Sequence, residues 1–281
     1  MKLKEKKPDF LSKLFQHLDG IVLIPTISAL ENKNIIPDFT NCHLEEISRE
    51  YKANSAYLHV ALRLLCSQGI IEQKINDDEN VSFIINKNTK DNLQQLIDAY
   101  VIIKPLYNQE IDYSIILNNH PTTHLHNNSS SILQKAISDY IKKYSTIRND
   151  SSTKNHVEGA LIGPILVKLF MGVKLNEDYN DWLNLLDQKW QKPIKELFHI
   201  AGLLNNNYEP TDYGLFLFKR ASSYGVTVSY LATYRNIENL IFGNYKLLWN
   251  KPGEEEKHVD RAMNVWGSGG AHKTYFKKID Q

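Results

Sequence analysis

Apolar residues along the first ninety positions recur at helical spacing and then at strand spacing. Phe10, Leu11, Leu14, Phe15 and Leu18 lie three and four apart and predict an amphipathic helix within residues 8–36, punctuated by Gly20 and Pro25. Pro37-Asp-Phe-Thr-Asn41 is a turn cluster, and His43 to Tyr51 reads as a short helix with Leu44 and Ile47 inward. Asn54 or Ser55 is placed to cap a helix over Ser55 to Ser67 that stops at Gly69. Ile70 to Ile75 and Val81 to Ile85 then read as two strands around the hairpin Asn76 to Asn80. Helices followed by a two-stranded wing give the order of a winged helix.

Further on, Asp91 to Tyr107 shows one apolar face, and the polar run Asn118 to Ser131 reads as a loop before a helix capped by Ser131. Val157 to Val173 is apolar on every side, as a buried helix would be. Trp182 to Trp190 and Pro193 to Ala201 predict two more helices, Leu203 to Tyr208 a short wing, and Tyr224 to Gly243 an apolar helix. Gly69-Ile-Ile71 and Gly202-Leu-Leu204 repeat one element, a helix handing off to a wing. The expected fold is mainly α, with two winged-helix-like modules bearing small β-hairpin wings and joined by a polar loop. Its parts are a first module over 1–90, a helical connector over 91–155 with the polar loop 118–131, a second module over 156–250, and a hinge and terminal segment over 251–281.

With 281 residues, 42% hydrophobic and 23% charged, the chain can bury a sizeable core. A net charge of +1 recruits neither nucleic acid nor acidic membrane. Two cysteines, Cys42 and Cys66, without a framework point to a reducing compartment. No run approaches a membrane span and no leader pattern is visible, so a cytoplasmic protein without membrane partners is expected.

The charge pattern argues against DNA reading. The candidate recognition helix carries one cation, Arg63, and the wing tip Asn76-Asp-Asp-Glu-Asn80 would repel phosphates. A packing or dimerisation role fits better. His120, His124 and His126 cluster in the polar loop without a carboxylate or thiol, so no metal site is assigned. His156, His199 and His258 stand apart and read as satisfied surface or interface groups. No nucleophile elbow, zinc motif or phosphate loop is present, and no catalytic residue is assigned.

Two segments stand out. Tyr224 to Tyr230 is followed by Arg235 and Glu238 on one helical face. Near the end, Trp266, His272 and Tyr275 surround Gly267-Ser-Gly-Gly270, where a helix beginning after Gly270 would offer free N–H groups to an anion.

Glu209-Pro-Thr-Asp-Tyr-Gly214, Ser229-Tyr230, Asn239-Leu-Ile-Phe-Gly243 and Val259 to Phe276 carry a resemblance. Together they resemble the region just upstream of the methyl-donor site in S-adenosylmethionine-dependent methyltransferases, among them domains of modular polyketide synthases. In that group a helical, winged-helix-like region forms a lid and dimerisation platform before a doubly wound core. The resemblance implies that Trp266, Gly267, Ser268, Gly269, His272 and Tyr275 border the cofactor, and that Tyr230 and Arg235 line the acceptor side. It implies a downstream methyltransferase core and an acyl carrier protein as partners, homo-oligomers, and S-adenosylmethionine bound only with that core. The family's glycine-rich methyl-donor loop is not found before Gln281, so this chain is expected to be inactive alone. The competing readings are a winged-helix transcription regulator and a protein–protein adaptor.

Overall fold

The computed structural model describes residues 3–35, 40–75, 81–84, 87–118, 124–146, 151–173, 179–251 and 253–279. Helix α1 runs from Leu3 to Asn32 without a break. Neither Gly20 nor Pro25 ends it, and the reason lies in what covers them. Pro25 has no N–H to give the Ile21 carbonyl, and that carbonyl instead accepts the Tyr107 hydroxyl at 2.7 Å. Phe15, expected in the apolar stripe, is 60% exposed; His17 takes the inward position.

Strand β1 (Thr40–His43), α2 (Leu44–Glu50), α3 (Ser55–Ser67), β2 (Glu72–Ile75) and β3 (Val81–Ile84) follow. The sheet order is β1-β3-β2, antiparallel throughout. Strand β1 has no sequence signature, because Thr-Asn-Cys-His is drawn into extended form by pairing with β3. The Asn54 side chain accepts from the amides of Ala56 and Tyr57 and caps α3 as expected. At its other end Gly69 takes a φ of 66°, and the Ile70 amide returns to the Leu65 carbonyl at 3.0 Å. Leu58, Leu62, Leu65 and Phe83 are buried between α3 and the sheet. The expected wing tip, Asn76 to Asn80, lies outside the described residues.

Helix α4 spans Lys87–Tyr100, and a 3-10 turn at Lys104–Leu106 takes the end of the stretch expected to be helical. Helix α5 spans His124–Tyr144, so residues 124–131, expected as loop, are its first turns. Polar Asn, Ser and His residues do not bar a helix whose later turns bury Leu133, Ala136, Ile137 and Tyr140.

Helix α6 (Ser152–Phe170) lies at the centre, and every residue from Asn155 to Phe170 except Lys168 is buried. Two 3-10 turns' length of chain, Asn180–Leu185, precedes α7 (Gln188–Ile200) in place of the helix expected over Trp182 to Trp190. Helix α7 ends as α3 does: Gly202 takes φ 76°, and the Leu203 amide reaches the Phe198 carbonyl at 2.8 Å. The second wing is one antiparallel bridge, Leu204 to Pro210. Helix α8 (Asp212–Phe218) is capped by Thr211.

The single helix expected over Tyr224 to Gly243 is three: α9 (Ala221–Ser229), α10 (Leu231–Arg235) and α11 (Ile237–Phe242). Each short helix ends where Tyr230 or Asn236 leaves helical geometry. Helix α12 (Arg261–Ile279) closes the described chain. Among the described residues no helix is long and apolar enough to cross a membrane.

The crossing of α1 and α6 organises these layers. A Cβ on Gly20 would overlap the His156 backbone, and one on Gly159 would overlap the His17 backbone. Each glycine therefore faces the histidine of the other helix. The local sequences are His17-Leu-Asp-Gly20 and His156-Val-Glu-Gly159, so the first helix of each winged-helix-like pass presents the same pattern to its counterpart.

Candidate functional site

The α1–α6 crossing encloses a polar cluster that sequence reading missed. The Tyr224 hydroxyl lies 2.7 Å from Nδ1 of His17, and the Tyr213 hydroxyl 3.3 Å from its Nε2. His17 Nε2 also faces Glu158 Oε2 at 3.4 Å. Tyr140 donates to Glu158 Oε1 at 2.5 Å, and Lys154 Nζ stands 3.4 Å from the same oxygen. His17, Glu158, Tyr140 and Tyr224 are all buried. Burial, and then the neighbouring Glu158 carboxyl, push the Tyr140 and Tyr224 phenols well above their ordinary range. They remain neutral, and with Tyr213, His17 and Glu158 they tie α1, α5, α6, α8 and α9 together.

His156, expected as a surface or interface group, is buried beside this cluster with Nδ1 2.8 Å from the Tyr100 hydroxyl. Its Nε2 has no partner among the described residues. Burial, and next the nearby His17, lower its pKa to about 4. The legible signal for this cluster was the repeated His-x-acid-Gly pattern, whose glycines forecast a close helix crossing.

The glycine-rich terminal segment has another use than the one expected. Helix α12 begins at Arg261, not after Gly270, so the amides of Gly267 to Gly270 lie within a helix. The Asp260 carboxylate caps it by accepting from the Met263 amide at 3.0 Å. A Cβ on Gly267 would sit 2.5 Å from the Val226 nitrogen, and one on Gly225 would sit 2.8 Å from the Gly267 Cα. One on Gly270 would overlap the Ser222 side chain. These glycines let α12 and α9 touch backbone to backbone.

Gly269 faces open space, with nothing within 4 Å of an added Cβ. Gly269→Ala should therefore stabilise the fold by about 0.5–1 kcal/mol, the ordinary gain on replacing a helical glycine. Gly267→Ala should instead destabilise it by about 1–3 kcal/mol, because α9 blocks the new methyl group. Urea denaturation of both variants checks the pair; equal effects would count against the close crossing.

Of the eight expected site residues, the seven whose side chains are described do not converge. Trp266 and Gly269 line a cleft of about 540 Å³ with Phe170, Tyr179 and Phe218. Gly267 is buried against α9, Ser268 is half-buried and His272 exposed. The Tyr275 side chain lies outside the described residues. Tyr230 lines a second cleft of about 550 Å³ with Tyr57, Tyr245, Trp249 and His258. Its ring centroid is 6.3 Å from that of His258. Arg235 lines a third cleft of about 570 Å³ with Lys168 and Asp260.

Arg235 and Glu238 do not share a face, since the chain turns at Asn236. Arg235 Nη2 faces Glu110 at 3.8 Å, whereas Glu238 accepts from Asn32 at 2.8 Å and faces Lys33 at 3.5 Å. The second and third clefts adjoin at Glu256, which lines both and is held by Arg261.

His120 lies outside the described residues, as do the side chains of His124 and His126. Among the described residues no group of three His, Cys, Asp or Glu is placed to hold a metal ion. His199 Nδ1 lies 3.1 Å from the Asn205 carbonyl at the second wing and acts in the turn.

Three family models match consecutive parts of the chain. The AprA N-terminal domain matches residues 10–73, the AprA winged helix domain residues 158–244, and the AprA MT2-like domain residues 256–281. No curated protein matches the chain. The first match holds α1 to α3, with the three-stranded sheet completed beyond it; the second holds most of α6 through α11; the third holds α12. In that order along the polypeptide, the chain is similar to three domains described for AprA, the last of them MT2-like.

Proposed function

We propose that this chain is the cover of an S-adenosylmethionine-dependent methyltransferase: an N-terminal lid, gate and dimerisation platform for a core that methylates a carrier-bound acyl chain or another small metabolite. One observation carries this reading. The helix similar to the MT2-like domain, α12, is joined backbone to backbone with α9 of the part similar to the winged helix domain. A rigid joint there would turn movement of a catalytic core into movement of the cover.

The residues present do not fit a methyl-donor loop. The Gly267 face is filled by Gly225 and Val226, and the amides of the segment sit inside α12. No step of methyl transfer is therefore assigned to this chain. Its part is to exclude water and to hold the acceptor close to the reacting carbon, which makes the displacement effectively unimolecular. S-adenosylmethionine titrated into the purified 281-residue chain should give no tight, saturable heat.

A DNA-reading role has less support. The first residues of a recognition helix enter the major groove. Here the Asn54 amide donates to the Ile241 carbonyl at 2.7 Å, and the Tyr57 ring lies 6.5 Å from that of Tyr245. The start of α3 is occupied by α11 and the turn after it.

A further inference from the structure

Lys168 breaks the burial of α6. It is half-buried in the last turn of that helix and lines the same cleft as Arg235. Among the described residues it has no ion-pair or hydrogen-bond partner. A half-buried lysine can lay its stem on the cleft wall and leave its ammonium available to an anion there.

The other charged groups at this cleft have partners of their own. Lys257 pairs with Glu254 at 3.0 Å, and Glu256 is held by Arg261. Asp260 caps α12, and Asp112 caps its own turn by accepting from the Ser114 amide at 2.9 Å. Among the described residues Arg235 pairs with Glu110 alone, at 3.8 Å, and the Glu110 side chain is 82% exposed. Lys168, unpaired among the described residues, and Arg235 thus share a cleft of about 570 Å³ with four carboxylates, Glu110, Asp112, Glu256 and Asp260, each already engaged elsewhere or at its rim. Part of its remaining wall is aliphatic, including Val228, Leu231, Val259 and Met263, beside Tyr113, Ser129 and Ser229.

We infer that this cleft binds an amphipathic organic anion, with its carboxylate or phosphate ester between Lys168 and Arg235 and its apolar part on Leu231, Val259 and Met263. A guanidinium and an ammonium together suit an oxyanion: the first offers a planar fork, the second a mobile point charge. The inference is independent of the methyltransferase reading, because it concerns binding by this chain alone. Its failure would leave that reading standing, and the reverse also holds.

Hexanoate, hexyl phosphate and hexanol titrated into the full chain by calorimetry test it. At least one anion should bind saturably, and hexanol should bind about tenfold more weakly or not at all. Binding of one anion and not the other would identify the headgroup. Lys168→Gln and Arg235→Gln should each weaken the anion about tenfold, and Lys135→Gln, at an exposed pair with Asp139, should not. In the unmodified chain the bound anion should also protect the Lys168 amine from reductive methylation, a readout independent of whether the variants fold. Failure of both anions to bind, affinity unchanged in both variants, or no protection of Lys168 would overturn the site.

Discussion

Glu158→Ala should lower the folding stability of this protein by about 3–5 kcal/mol, the usual cost of removing one member of a buried ion pair. The Glu158 carboxyl is the point at which Tyr140, Lys154 and His17 meet. Alanine removes the acceptor and leaves three donors behind. The Tyr140 hydroxyl is enclosed, and the Lys154 side chain is only 12% exposed, so water cannot readily replace what is lost. Glu158→Gln keeps an acceptor for Tyr140 but turns an amide N–H₂ toward Lys154 or His17, so it should recover part of the loss. Urea denaturation with an unchanged slope is the measurement. Combining Glu158→Ala with Tyr140→Phe should cost less than the two separate changes together, since they share one bond. A loss below about 1 kcal/mol for Glu158→Ala would show that the cluster is solvated or loosely held.

His156 should make stability fall with acid. Its folded-state pKa is lowered to about 4 from the ordinary 6.5, through burial first and His17 second. Below the ordinary value the unfolded chain takes up a proton at this ring, while the folded chain does not until about pH 4. The unfolded state therefore binds more protons across that window, and stability drops as pH falls through it. The contribution is present in full above pH 6.5 and is lost near pH 4. Its size is roughly 3 kcal/mol at most, from the free-energy equivalent of the shift. Carboxylates add their own acid loss, so the informative quantity is the difference from His156→Gln, which has no ring to titrate. Unfolding free energies at several pH values should show a shallower fall for the variant over this window. Parallel curves would mean that His156 is as open to protons when folded as when unfolded.

Local punctuation was the most legible part of this chain. Asn54 and the two glycines at 69 and 202 do what their chemistry demands within a few residues of themselves, and α6 announces its burial by having no polar side. The harder features depend on partners far along the chain. Whether Pro25 ends a helix depends on Tyr107, and whether Thr40 to His43 is a strand depends on β3. The three glycines of the terminal segment looked like a ligand loop because glycine permits any close approach. Only Gly225 and Ser222, some forty residues earlier, decide that the approach is by another helix. The polar cluster was the least legible, since His17, Tyr140, Glu158, Tyr213 and Tyr224 carry no common spacing. Its trace was the pattern shared by residues 17–20 and 156–159, an internal repeat of a helix crossing rather than of a site. Tyr230 and Arg235, expected together on the acceptor side, line different clefts because the helix breaks at Tyr230.

On the proposed reading, this chain closes over a methyl-donor site carried by a separate core. Calorimetric titration of S-adenosylmethionine into the purified chain tests that most directly. No saturable binding of the cofactor is expected, with the protein shown to be folded by its cooperative urea transition. A submicromolar dissociation constant, abolished by replacing Trp266, would contradict it.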